Sequence, residues 1–517
     1  MSSDSTNGDS TGSGLSGRRM LFWACFVSLI ATAFGFQARM FLLGTWEGQF
    51  GLSETQKGEI LGAGLWPFAI SIILFSLVID RIGYGKAMVF ACGCHLVQAL
   101  MLWQADGYAM LYWGSIIGAL GNGTIEAVIN PVVATMFPKQ KVKWLAILHA
   151  GWPGGLVIAG LLFMAVGQKD AAGAFTNWQI LVALSALPVI IYAVMLIGRK
   201  FPVQERVQAG VTFREMLQEP GILSWAVAVI LVVLELGRVL INADWANAHP
   251  EMATGIKIAA IAILVVPYAL YVRALGRPMY FLLLLVMMLL ATTELGIDGW
   301  SRELMEGSFK DLAMDAGWVL ILTSFIMMVL RFFAGPITHK LPPLNLLAIS
   351  ALVAGIGVYS LGMANGYTYI LTAAVIYGFG KTFFWPATLG FVSERFPRGG
   401  AMTINMIAGV GMLSVGTVGT AWLGFVQDRA IETELADTKI DIFEPEKKQF
   451  LGIIDYRPIS QEKKKALGAV NSETVGNAEN NAKKSALKTA AFLPISMLVA
   501  YIGLIFYFKS HGGYRAI

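Results

Sequence analysis

Apolar and polar positions along this chain fall in long blocks. They lack the short periods of a surface helix or a half-buried strand. Runs of 20 or more apolar residues, parted by brief polar turns, recur over nearly the whole length, and each can cross a bilayer as a helix. They predict fourteen spans, at about 20–44, 55–79, 86–106, 107–137, 144–167, 177–198, 222–242, 254–275, 278–300, 316–338, 344–364, 367–395, 402–427 and 490–509. Two stretches break the pattern. Residues 1–19 open with the Ser/Gly-rich MSSDSTNGDSTGSGLSG, which is too poor in apolar groups to fold and predicts a disordered tail. Residues 428–489 are polar, with eleven basic and eleven acidic side chains, and are expected to form surface helices or a tether. The expected fold class is an all-α polytopic membrane protein.

Composition sharpens that reading. Of 517 residues, 56% are hydrophobic and 14% charged, with mean hydropathy +0.64, too little charge to cover a soluble surface. Cys25, Cys92 and Cys94 all lie in apolar segments, with neither disulfide nor metal spacing. Arg18-Arg19 precede an apolar run too long for a cleaved twin-arginine leader, so it reads as a retained first span. With the N-terminus inside, the cytoplasmic loops hold eighteen Lys and Arg and the short outer loops five. That asymmetry supports both the span count and the orientation. The net charge of +5 is then mostly topology and calls for no nucleic acid or acidic partner.

The chain also repeats itself. Asp80-Arg81 after the second span aligns with His339-Lys340 after the tenth, at an offset of 259 residues. GALGNGTIEAVINPVVATMFP aligns with YGFGKTFFWPATLGFVSERFP at the same offset, Gly121 on Gly380 and Pro138 on Pro397. Duplicated halves are a transporter signature. Each half has six spans, and spans seven and eight form an insert between them. No ATP-binding loop, nucleophile–base pair or metal cluster is present, which argues against an enzyme. Transport would draw on a gradient.

DRIGYGK between spans two and three resembles the signature loop of the major facilitator superfamily, with Asp80, Arg81 and Gly83 matching. The resemblance covers about 20–427 and 490–509. It implies two six-helix bundles working by alternating access, here with two extra central helices. It also implies that Asp80, Arg81 and Gly83 serve a cytoplasmic gate. The domains expected are a tail at 1–19, a first bundle at 20–198 and a central loop with two inserted helices at 199–277. Five helices of the second bundle follow at 278–427, then the polar insert at 428–489, and the last helix with its tail at 490–517.

Within the spans lie Arg39, Arg238, Arg331 and Lys381 with Glu126, Glu235 and Glu294. A charge at mid-bilayer costs about 2.5–3.5 kcal/mol on the gentler insertion scale. With the insert left out of the count, Arg39, Glu126, Glu294 and Lys381 fall on helices 1, 4, 7 and 10, which the resemblance implies line the central cavity. Asn122, Glu126 and Asn130 are spaced i, i+4, i+8 and form one polar stripe. It can bind substrate or protons, or simply join two helices. Lys381, at the repeat position of Asn122, can bind or titrate. Arg39 either faces the cavity or snorkels to the outer interface. Glu294 is equally ambiguous, with Asp298 and Trp300 suggesting a nearby interface. Arg331 reads as a gate or packing residue, and Glu235 with Arg238 as a mutually neutralising i, i+3 pair. His149 opens the Gly/Pro-rich HAGWPGG and is either a cavity or a packing residue, whereas His95 and Gln98 read as packing.

GNGTIEAVINP resembles the fourth-helix pattern of the fucose–galactose–glucose:proton symporter family, with Gly121, Gly123, Glu126, Asn130 and Pro131 matching. LAILHAGWPGG resembles that family's next helix and places His149 at its polar position. The resemblance implies that Glu126 lies in a sugar cavity and couples protons to sugar, and Trp385, aligned on Glu126, can stack on a sugar face. Helix 1 departs from it: it carries no acid, and Gln37 and Arg39 are its polar groups. The expectation is a monomeric carrier of a small polar solute, a monosaccharide, in the plasma membrane (the inner membrane of a Gram-negative cell), with both termini cytoplasmic. It needs no cofactor and couples to H+, with Na+ or uniport left open. The alternatives are a drug or metabolite exporter and a carrier of organic anions that uses Arg39 and Lys381 as a clamp.

Overall fold

The structure, a computed structural model, describes residues 12–52, 54–171, 174–298, 317–438, 440–445, 448–450, 454–457, 459–460, 463–464 and 466–515. It forms two compact units, Met1–Ala209 and Gly210–Ile517. The division falls in the expected central loop and leaves both inserted helices with the second unit.

Among the described residues, twelve helices are long and apolar enough to cross a membrane. A thirteenth span is the pair Trp318–Phe332 and Ala334–Lys340, bent by 64°. The expected span 367–395 instead comprises two helices, Tyr367–Lys381 and Phe384–Arg395. Pro386 has no N–H to give the Thr382 carbonyl four residues back, and the helix parts there. The first helix, Gly12–Phe50, starts inside the expected tail, and the Arg18 Nη2 donates to the Met136 carbonyl at 2.6 Å. Residues 1–11 of that tail, and Trp300, lie outside the described residues.

In the first unit, the stripe-bearing helix Tyr108–Met136 packs between Trp66–Ile82 and Tyr84–Trp103. The two motif glycines permit this. A Cβ on Gly121 would lie 2.8 Å from the His95 ring, and one on Gly123 would lie 2.1 Å from the Phe68 carbonyl oxygen. Gly123→Ala is therefore expected to cost about 1–3 kcal/mol by overpacking. A thermal-unfolding midpoint equal to the parent's would show that the two helices part freely. Gly380 repeats the device in the second unit, where a Cβ would meet the Ala354 backbone nitrogen at 2.2 Å.

In the second unit, the inserted helices Gly221–Leu240 and Pro250–Val272 are joined at one end by Ile222 N–H to Ala274 O at 2.9 Å. Trp225 also stacks on Tyr268, with ring centroids 4.7 Å apart. Ile258, Ile263, Val266 and Leu270 are exposed on the second helix, as expected of a lipid-facing surface. Glu235 and Arg238 pair at 2.5 Å, matching the expected i, i+3 neutralisation.

The polar insert 428–489 contributes a helix, Ala469–Ala490, and a short antiparallel ribbon of Lys448–Phe450 with Ile454–Tyr456. Ile431, Leu435, Phe443, Val475 and Ala482 form a small core beneath it. Apolar residues spaced through a charged stretch thus fold it onto the extended end of Thr420–Leu435.

Candidate functional site

In the first unit the three stripe residues are buried: Asn122, Glu126 and Asn130 are 3%, 6% and 0% exposed. Asn130 Nδ2 donates to Glu126 Oε2 at 2.6 Å, and its Oδ1 lies 2.9 Å from His149 Nε2. Since an amide oxygen only accepts, His149 carries its proton on Nε2 in this arrangement. The result is a carboxylate–amide–imidazole row across two helices. His149 ends the helix Lys141–His149, and its carbonyl is the one that Pro153 cannot bond. Asn122 turns elsewhere: its Oδ1 meets His95 Nε2 at 2.7 Å, while Tyr192 OH stands 3.5 Å from His95 Nδ1. His95, expected only to pack, is thus the partner of a stripe residue.

Arg39 does not snorkel; it is 1% exposed. Its guanidinium lies across Gly64, between the helices Glu54–Ala63 and Trp66–Ile82, where a Cβ would stand 2.6 Å from Nη2. Arg39 Nη1, Gln37 Oε1 and Gln98 Nε2 are buried without a hydrogen-bond partner among the described residues.

The second unit holds a different cluster. Glu294 lies in a π-helical turn, Thr292–Gly296, a local bulge often found at functional positions. Its Oε1 meets Arg331 Nη2 at 3.0 Å, and the Arg331 Nε donates at 2.6 Å to the Thr382 carbonyl that Pro386 leaves free. Lys381 is fully buried and contacts both Asp298 oxygens at 2.5 Å, its ammonium 4.8 Å from the Tyr377 ring. Two acids and two bases thus neutralise one another, which is what makes their burial tolerable. Arg331, expected as a gate or packing residue, is a member of this cluster. Lys381, expected to be available to a ligand, is held by Asp298. Trp385 is buried just beyond the helix break.

At the other expected site, Gly83 takes φ 82°, a left-handed turn between Trp66–Ile82 and Tyr84–Trp103 that favours glycine. Asp80 pairs with Arg206, and Lys141 with Glu205 at 2.8 Å. Consecutive residues of the short helix Glu205–Gln208 therefore clasp the ends of two spans. Arg81 is exposed. Among the described residues, no group of three His, Cys, Asp or Glu side chains is placed to hold a metal.

A family model described as the Major Facilitator Superfamily matches residues 25–423. The chain belongs to the major facilitator superfamily. Its members are transporters, so the buried polar clusters are not read as an enzyme's. A curated relative, the pig (Sus scrofa) facilitated glucose transporter member 2 of solute carrier family 2, is 26% identical over 155 residues. That match spans 28% of this chain and 29% of that transporter. Among solved superfamily structures, the Escherichia coli proton:xylose symporter XylE aligns over 95% of this chain and 96% of its own, at TM-score 0.61 and 14% identity. The E. coli fucose:proton symporter FucP aligns over 92% and 98%, at TM-score 0.56 and 14% identity. The human organic anion transporter MFSD10 aligns over 94% and 99%, at TM-score 0.60 and 12% identity. At such identities the likeness is one of fold.

Proposed function

We propose that the protein is a proton-coupled carrier of a small polar solute of the monosaccharide class. The observation that carries this reading is the buried row that Glu126, Asn130 and His149 form across two helices. A buried carboxylate can take up and release a proton in step with a ligand, and a carboxylate and amides suit sugar hydroxyls. The sugar transporters among the fold neighbours support the same reading.

The test is reconstitution in liposomes containing a pH dye, with hexoses, pentoses and deoxyhexoses added singly. Sugar-triggered proton entry is the expected result. Labelled sugar uptake without a pH signal would overturn the coupling, and no response to any sugar would overturn the substrate class. A second reading, an organic-anion carrier, is favoured by the buried Arg39 with its unpartnered Nη1. On that reading Arg39→Gln lowers anion uptake about tenfold or more, as loss of one charge-assisted contact implies, and leaves neutral sugars unaffected.

A further inference from the structure

A groove of about 810 Å3 lies in the second unit, where the helix Pro278–Ala291 begins and Phe384–Arg395 ends. Its lining includes three arginines, Arg277, Arg395 and Arg398. Its wall is apolar, made by Leu282 together with Gly503 and Leu504 of the last helix, Phe492–Ser510. Leu282 is exposed, as are Val499, Ile502 and Phe506 on that same last helix, so the groove adjoins a surface that meets lipid, while Leu504 is buried.

The arginines are only partly committed. Arg277 Nη2 meets Glu219 Oε1 at 3.1 Å, Arg398 Nη2 meets Glu215 Oε1 at 2.8 Å, and Arg395 Nη1 reaches the Arg515 carbonyl at 3.4 Å. The side chains of Arg277 and Arg398 remain 57% and 53% exposed. The backbone N–H and hydroxyl of Thr212 bond Glu215 and hold its carboxyl below the usual carboxylate range. Of the groove's own lining, three positive charges face one negative, Glu219. Each guanidinium has five N–H donors, so several remain for a further anion.

We propose that this groove binds an anionic phospholipid, its phosphate taken by Arg395 and Arg398 and an acyl chain lying along Leu282, Gly503 and Leu504. Charge complementarity selects the head group, and the apolar wall selects a chain over a free phosphate. The groove lies on the side predicted to be cytoplasmic, where anionic lipids are concentrated. Gly503 leaves the chain its room, since a Cβ there would meet no protein atom within 4 Å. A larger side chain would therefore fill the groove and leave the packing intact.

The experiment is thermal unfolding of the full-length protein in neutral detergent with added phosphatidylglycerol, phosphatidylcholine or glycerol 3-phosphate. Phosphatidylglycerol is expected to raise the midpoint saturably, and the other two to leave it unchanged. Arg395→Gln/Arg398→Gln and, separately, Gly503→Leu are expected to weaken that response about tenfold, as loss of charge-assisted contacts implies for the first. Equal shifts from both lipids would overturn the proposal, as would a phosphatidylglycerol shift that survives in both variants. A matching shift from glycerol 3-phosphate would assign the arginines to a free phosphate and also overturn it.

Discussion

Asp298→Ala is expected to destabilise the second unit more than loss of its partner Lys381 does. The reason is which partner it strands. Lys381 is fully buried and loses both oxygens at 2.5 Å, whereas the Asp298 side chain is 18% exposed and can be partly hydrated when Lys381 is removed. Leaving one member of a buried pair uncompensated costs about 3–5 kcal/mol, while replacing both by apolar groups is often neutral. Asp298→Ala should therefore lower the unfolding midpoint sharply, Lys381→Met should lower it less, and the double variant should recover most of the loss. Strictly additive losses would mean that the two side chains do not stabilise each other. The double variant also separates two roles for Lys381. Restored stability with intact uptake makes the pair structural, and restored stability without uptake makes Lys381 a residue of the transport path.

Much of this architecture was legible because the bilayer imposes one simple demand, a long apolar helix. Helices such as Tyr84–Trp103 and Trp178–Leu196 therefore fall where their apolar runs do. The departures have local causes. Pro386 divides 367–395 at Thr382, and the apolar residues scattered through 431–482 build a core that a charge count conceals. Side-chain partners were harder. The i, i+4 spacing of Glu126 and Asn130 announced their contact, because both lie on one helix. His95 with Asn122, Asp298 with Lys381 and Arg206 with Asp80 join separate elements. Spacing along one helix says nothing of such pairs. Asp298 and Trp300 made Glu294 look close to an interface, although Asp298 follows Glu294 by one helical turn and so lies on the same face. Arg39 looked able to snorkel until Gly64 was found to leave room for its guanidinium inside the fold.

Glu126→Gln is expected to uncouple transport with little effect on folding. Glutamine keeps the side-chain length and can still accept from the Asn130 amide, so the row through His149 can persist. What is lost is the charge and the titrating proton. On the proposed function, proton-driven accumulation should vanish, and solute should only equilibrate across the membrane, even with a pH gradient imposed. Affinity should fall as well, since a hydrogen bond to a charged acceptor is worth about 1.5–3 kcal/mol, roughly tenfold to a hundredfold in binding. Two measurements on one preparation decide it, uphill uptake driven by a pH gradient and counterflow exchange, which needs binding but no gradient. Lost uptake with retained exchange would place Glu126 in coupling. Loss of both would restrict it to binding or to helix packing, and an unchanged unfolding midpoint would then exclude packing. Uphill uptake equal to the parent's would remove Glu126 from the mechanism and move the proton to Glu294, the other carboxylate buried within a span expected to line the cavity.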